Sequence, residues 1–122
     1  MILKDQLYTI VRQTETENST VFSVVLNPEC FIYKAHFPGN PITPGVCIIQ
    51  TACELLGELE GRKLEVTEVK NVKFLNILSP LSNKDVDFVF NSIEHAENRI
   101  KAKAEVKAGD ELFTSISFVC EP

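Results

Sequence analysis

From Pro44 to Glu60 the sequence carries a helical pattern that is apolar on almost every side. Val46, Cys47, Ile48, Ile49, Ala52, Cys53, Leu55, Leu56 and Leu59 surround most of its circumference. A helix of that kind has to be enclosed by other elements, since no single face of it could be turned to water at small cost. Thr43 offers a side-chain oxygen as N-cap, Pro44 suits the first helical position, and Gly61 supplies the stop. Gln50, Glu54 and Glu58 interrupt the apolar surface at every fourth residue and so share one stripe. That stripe must face water or something polar and specific.

What can enclose the helix is a set of strands. Val21–Leu26 is rich in β-branched and aromatic residues and ends at Asn27-Pro28, and Leu7–Val11 is a candidate partner across a polar turn at 13–19. Four further stretches alternate apolar with polar residues, the period of a half-buried strand. They are Leu64 to Phe74, with an irregularity between Val66 and Val72; Val86 to Phe90; Ile100 to Val106; and Leu112 to Phe118. Turns are expected at 83–85, 95–98 and 109–110. The order β-β-α-β-β-β-β, with short links, favours antiparallel pairing. The economical packing is an α+β hotdog fold, one domain over residues 1–122, in which a curved antiparallel sheet wraps around one long buried helix.

Composition narrows the function classes. Apolar residues make up 44% of the chain, yet no apolar run reaches the length of a membrane span. The start of the sequence lacks a secretory pattern, so a cytoplasmic location and no membrane insertion are expected. Cysteines 30, 47, 53 and 120 form no Cys-x-x-Cys pair, and neither a metal site nor another cofactor is expected. The net charge is −5 and the basic residues form no block, which argues against nucleic acid as a partner.

Chemistry is concentrated at residues 36–45, His-Phe-Pro-Gly-Asn-Pro-Ile-Thr-Pro-Gly. Prolines fix the backbone and glycines admit a ligand close to the main chain. The amides around Gly45 open a helix, carry the positive end of its dipole and can polarise a carbonyl oxygen. His36 can take or give a proton near neutral pH. A base beside a carbonyl-polarising amide is equipment for abstracting a proton next to a thioester carbonyl. Taken singly, a histidine is more often structural and a Pro/Gly helix entry is more often only a turn.

The run His36-Phe-Pro-Gly-Asn-Pro-Ile-Thr-Pro-Gly-Val46 closely resembles the His-Phe-Pro-Gly-x-Pro-x-x-Pro-Gly-Val signature of β-hydroxyacyl-acyl-carrier-protein dehydratases. Val72-Lys-Phe-Leu-Asn-Ile-Leu-Ser-Pro80 is similar to a second recurring stretch of that family, and the similarity can be followed from about Asn27 onward. The resemblance implies removal of water from a (3R)-hydroxyacyl thioester, on acyl carrier protein or coenzyme A, to give a trans-2-enoyl thioester. It implies that His36 is the catalytic histidine and that the amide of Gly45 contacts the thioester carbonyl. Phe37, Pro38, Gly39, Pro44 and Val46 then belong to the substrate-binding loop. It also implies a homodimer, or a larger assembly of dimers, with acyl tunnels at the subunit interface.

The family places an acidic residue of the neighbouring subunit fourteen positions after the histidine, and here that position is Gln50. A glutamine can hydrogen-bond a leaving hydroxyl but cannot protonate it. Three accounts follow: His36 shuttles the proton alone, Glu54 acts directly or through water, or the pocket survives without the chemistry. The first two make the chain a dehydratase; the third makes it an acyl-thioester-binding subunit. A hotdog thioesterase is a further, lower-ranked alternative. Glu58 reads as a solvated helix edge, His95 as an exposed turn residue, and Lys101, Lys103 and Lys107 as a solvated strand face.

Overall fold

The computed structural model describes residues 2–36 and 39–122. Its elements are β1 (Tyr8–Glu15), β2 (Thr20–Leu26), α1 (Phe31–Ala35), α2 (Gly45–Glu60), β3 (Glu65–Phe74), β4 (Asp85–Ala96), β5 (Arg99–Ala108) and β6 (Glu111–Glu121). All six strands form one antiparallel sheet in the order β1-β2-β4-β5-β6-β3. The alternation in sequence becomes alternation in burial. Phe22, Val24 and Leu26 of β2, Val86, Phe88 and Phe90 of β4, Ile100, Ala102, Ala104 and Val106 of β5, and Ile116, Phe118 and Cys120 of β6 turn one set of faces inward. They join Ile48, Ala52, Cys53, Leu55 and Leu56 of α2 in a single core. Burying each large side chain contributes about 1.5–3 kcal/mol, so the helix is held by its apolar girth rather than by its ends. This is the α+β hotdog arrangement expected from the sequence.

The strand pairs are local only in part. β4, β5 and β6 form a meander, but β2 lies against β4, and β3 crosses to the far edge to pair with β6. The expected irregularity in β3 is present as register shifts between Val66 and Glu68 and between Val69 and Asn71.

Three local expectations differ from the structure. β1 continues to Glu15, so the first turn is confined to 16–19, where the Thr16 hydroxyl accepts the amides of Asn18 and Ser19. β4 runs through His95 to Ala96, and Asn98, at φ 58°, turns the chain back into β5. The short helix α1 lies just ahead of the Pro/Gly loop, where five residues are too few to show a helical period. At the other end of α2 the expectation holds: Gly61 caps it in the left-handed conformation, φ 72°, which costs glycine nothing.

Candidate active site

The loop with the proline-rich motif is fixed at both of its ends. At its start His36 closes α1, donating its amide to the Ile32 carbonyl at 3.0 Å, and is exposed. At its end Pro44, not Thr43, is the N-cap of α2, and no side chain caps the helix. The Thr43 hydroxyl is engaged elsewhere: it shares a 2.8 Å hydrogen bond with the buried Tyr33 hydroxyl of α1. Burial pushes the Tyr33 phenol up to about 12, although its hydrogen bond to Thr43 works in the opposite direction. The Thr43 amide donates to Leu78 at 2.8 Å. The loop is thus stapled to α1 on one side and to the segment after β3 on the other.

The Pro44 carbonyl accepts the amides of Cys47 and Ile48, so Gly45 and Val46 stand ahead of the first helical bonds, at the positive end of α2. Gly45 faces a cleft of about 490 Å³ lined by Ile42, Thr43, Ile48, Phe74, Ile77 and their neighbours. The approach is close: a Cβ on Gly45 would lie 2.5 Å from Cζ of Phe74. Glycine is needed here for space, not for its backbone angles. The far wall is anchored to β6 through Leu75 and Asn76, whose amides donate to the Phe113 carbonyl.

Gln50 and Glu54 lie on another cleft, of about 420 Å³, with Ile2, Lys4, Arg62 and Leu64. Glu54 is enclosed by donors. Its carboxylate accepts the amides of Leu3 at 2.8 Å and Lys4 at 2.9 Å, the Tyr8 hydroxyl at 2.8 Å, and Gln50 Nε2 at 2.9 Å. Burial, and then the bond to Glu54, push the Tyr8 phenol far above its usual range. Lys4 also pairs with Glu58, and chiefly for that reason its ammonium is shifted upward. The polar stripe on α2 therefore faces the N-terminal segment of the same chain. Glu58, expected to be a solvated edge, is exposed but has this partner.

Of the sequence-derived site residues, Gly45 opens the apolar cleft, and Gln50 and Glu54 share the second one. Gly39 borders a small groove with Tyr33 and Lys34, Pro44 is half-buried, and Val46 is exposed. Phe37 and Pro38 lie outside the described residues. His95 is exposed, as expected, and bonds through Nε2 to Glu60 at 2.9 Å. Tyr8, Tyr33 and Phe74 were not singled out from sequence. Of these, only Phe74 carried a signal, as part of the second family-like stretch. Among the described residues no group of three or more His, Cys, Asp or Glu side chains is arranged to hold a metal ion, and no helix is long and apolar enough to cross a membrane.

Comparison with known proteins gives a consistent set of likenesses. The family model described as ApeI-like, ApeI dehydratase, matches residues 12–115. A 3-hydroxyacyl-[acyl-carrier-protein] dehydratase FabZ from a Caulobacter species is 32% identical over 93 residues, 70% of this chain and 57% of that protein. The FabZ of Fusobacterium nucleatum is 30% identical over 101 residues, 79% of this chain and 69% of its own length. This chain spans less than two thirds of the length of the first of these relatives. Among solved structures, the dehydratase heterocomplex ApeI:P from Xenorhabdus doucetiae superposes with a TM-score of 0.71 at 16% identity, covering 93% of this chain and 97% of that one. A putative thioesterase, yhdA from Lactococcus lactis, gives a TM-score of 0.64 at 15% identity, covering 96% and 93%. At such identities these structures speak for the fold alone.

Proposed function

The chain belongs to the ApeI-like dehydratase family, and from that premise we propose that it removes water from (3R)-hydroxyacyl thioesters, carried by acyl carrier protein or coenzyme A, to give trans-2-enoyl thioesters. The observation that carries this reading is the stapled loop. One base, His36, and one helix-opening amide, Gly45, stand at the two ends of the motif; the Tyr33–Thr43 bond ties its far end to α1, and Gly45 lines a largely apolar cleft.

In this reading the Gly45 amide hydrogen-bonds the thioester oxygen and stabilises the negative charge that grows on it. Neutral His36 takes the proton from C2, and that electron pair becomes the C2–C3 double bond as the C3–O bond breaks. The imidazolium then returns its proton to the departing hydroxyl, which leaves as water. Protons balance without a second acid. Glu54 is poorly suited to be that acid, because a protonated carboxyl would lose acceptor capacity toward four donors. Gln50 is assigned to hold the hydroxyl by a hydrogen bond. Gly45 and Gln50 line different clefts of one protomer, which supports a site shared between subunits. Edge strand β3 and the segment after it, with Val69, Phe74, Leu75 and Ile77 exposed, support a homodimer with that edge as interface.

Gln50 also favours a second reading, an acyl-thioester-binding subunit without turnover. The test is hydration of trans-2-enoyl thioesters, the reverse reaction, by the wild type and by Gln50→Glu. Turnover that rises in the variant supports a dehydratase limited by its missing acid. Tight binding without turnover, across chain lengths and both carriers, supports the binding subunit. Release of free thiol would identify a thioesterase. Because the ApeI:P neighbour is described as a heterocomplex, turnover appearing only after addition of a second hotdog chain would replace the homodimer with an unlike pair.

A further inference from the structure

Away from both clefts, two thiols meet in the core. Cys53 lies in the middle of α2 and Cys120 near the end of β6, 67 positions later; both are fully buried. Their sulfur atoms are 3.1 Å apart, the Cys120 thiol donating to Cys53 Sγ. Cys53 in turn donates to the Leu64 carbonyl at 3.4 Å. A disulfide needs sulfurs about 2.05 Å apart, so closing the pair requires a movement of about 1 Å. The two sulfurs are not equivalent. The bond from Cys120 favours the Cys53 thiolate and lowers that thiol, while the same bond and burial hold Cys120 protonated well above the usual range. Such a pair has a nucleophile and a resolving thiol already in place. Leu64, whose carbonyl receives the Cys53 thiol, also lines the cleft beside Gln50 and Glu54.

We propose that Cys53 and Cys120 form an oxidative modification site that closes to a disulfide between α2 and β6 when the protein meets a hydroperoxide. The Cys53 thiolate attacks the peroxide oxygen; the O–O bond breaks and, with one proton, releases water (or an alcohol from an alkyl hydroperoxide), leaving a sulfenic acid. Cys120 sulfur then displaces the sulfenic hydroxyl, which leaves as a second water with the Cys120 proton. In total two thiols are oxidised and one peroxide is reduced. This inference does not depend on the reaction proposed for the apolar cleft.

The test is treatment of the native protein with hydrogen peroxide, followed by denaturation, alkylation and peptide mapping. The expected result is a fall from four to two free thiols, a Cys53–Cys120 cross-link, reversal by dithiothreitol, and a thermal midpoint raised by about 5 °C or more. Cys120→Ser should instead stop at a sulfenic or sulfinic acid on Cys53. Mapping of the wild type decides the matter even if that variant folds poorly. Four thiols surviving excess peroxide, or a cross-link confined to Cys30 and Cys47, would overturn the proposal.

Discussion

At Glu54, midway along α2, a carboxylate meets four donors, two of them backbone amides of the N-terminal segment. At Gly45, where the same helix begins, no side chain caps the end and the leading amides stand beside an open cleft. The two regions show how polarity is divided in this molecule. Around Glu54 the polar groups satisfy one another, and their free energy goes into fastening residues 3–8 across the helix. Around Gly45 the polar groups are held in place by bonds that leave their outward side available, as Tyr33 and Thr43 hold the loop. In the proposed function, the capacity for chemistry belongs with the second kind.

The division is sharpest in its consequences for mutants. His36→Ala should lower enoyl-thioester hydration by about 10²–10⁴-fold, with an unchanged thermal midpoint, because the side chain is exposed and, in the proposed function, serves only as a base. Glu54→Ala should do the reverse. It strands the Leu3 and Lys4 amides and the Tyr8 hydroxyl, so urea denaturation should show a loss of about 2–4 kcal/mol with a smaller change in turnover.

Gly45→Ala lies between these limits. The Phe74 ring must swing away from the new methyl, and as a half-exposed ring it can do so at small cost in stability. The displaced ring should crowd the cleft and reduce kcat/KM about tenfold, a loss of about 1.4 kcal/mol in the transition state. Phe74→Leu in the same background should recover part of it.

The smallest effect concerns Tyr8 and Tyr33, whose phenols are both shifted upward by burial. Above about pH 10 the unfolded chain releases protons that the folded chain keeps, so stability is complete below that pH and falls as pH rises toward 12 and beyond. Tyr8→Phe should cost about 1 kcal/mol at neutral pH and flatten this alkaline decline. Denaturation midpoints measured across the alkaline range check both.

Much of the fold was legible because its signals are periodic. Val86, Phe88 and Phe90 announce a strand, and the apolar ring from Val46 to Leu59 announces an enclosed helix. The pairing of β3 with β6 was not legible, since register between strands remote in sequence depends on where the whole chain closes. Thr43 looked like a helix cap because sequence shows the capping oxygen but not its competitor, the Tyr33 hydroxyl ten residues earlier. The stripe of Gln50, Glu54 and Glu58 declared that something polar must face it. Its partners were hidden because two are backbone amides, which every residue has and none advertises. In the site, the motif fixed attention on His36 and Gly45, whereas the clearance under Phe74 emerges only in three dimensions.

The central claim, that chemistry resides at the loop and not at the carboxylate, is tested most directly by the pH profile of hydration in Glu54→Gln. The account predicts kcat within about tenfold of the wild type and a pH profile of unchanged shape. A loss of about 10² or more, together with disappearance of one limb of the profile while the fold persists, would make Glu54 the working acid and contradict it.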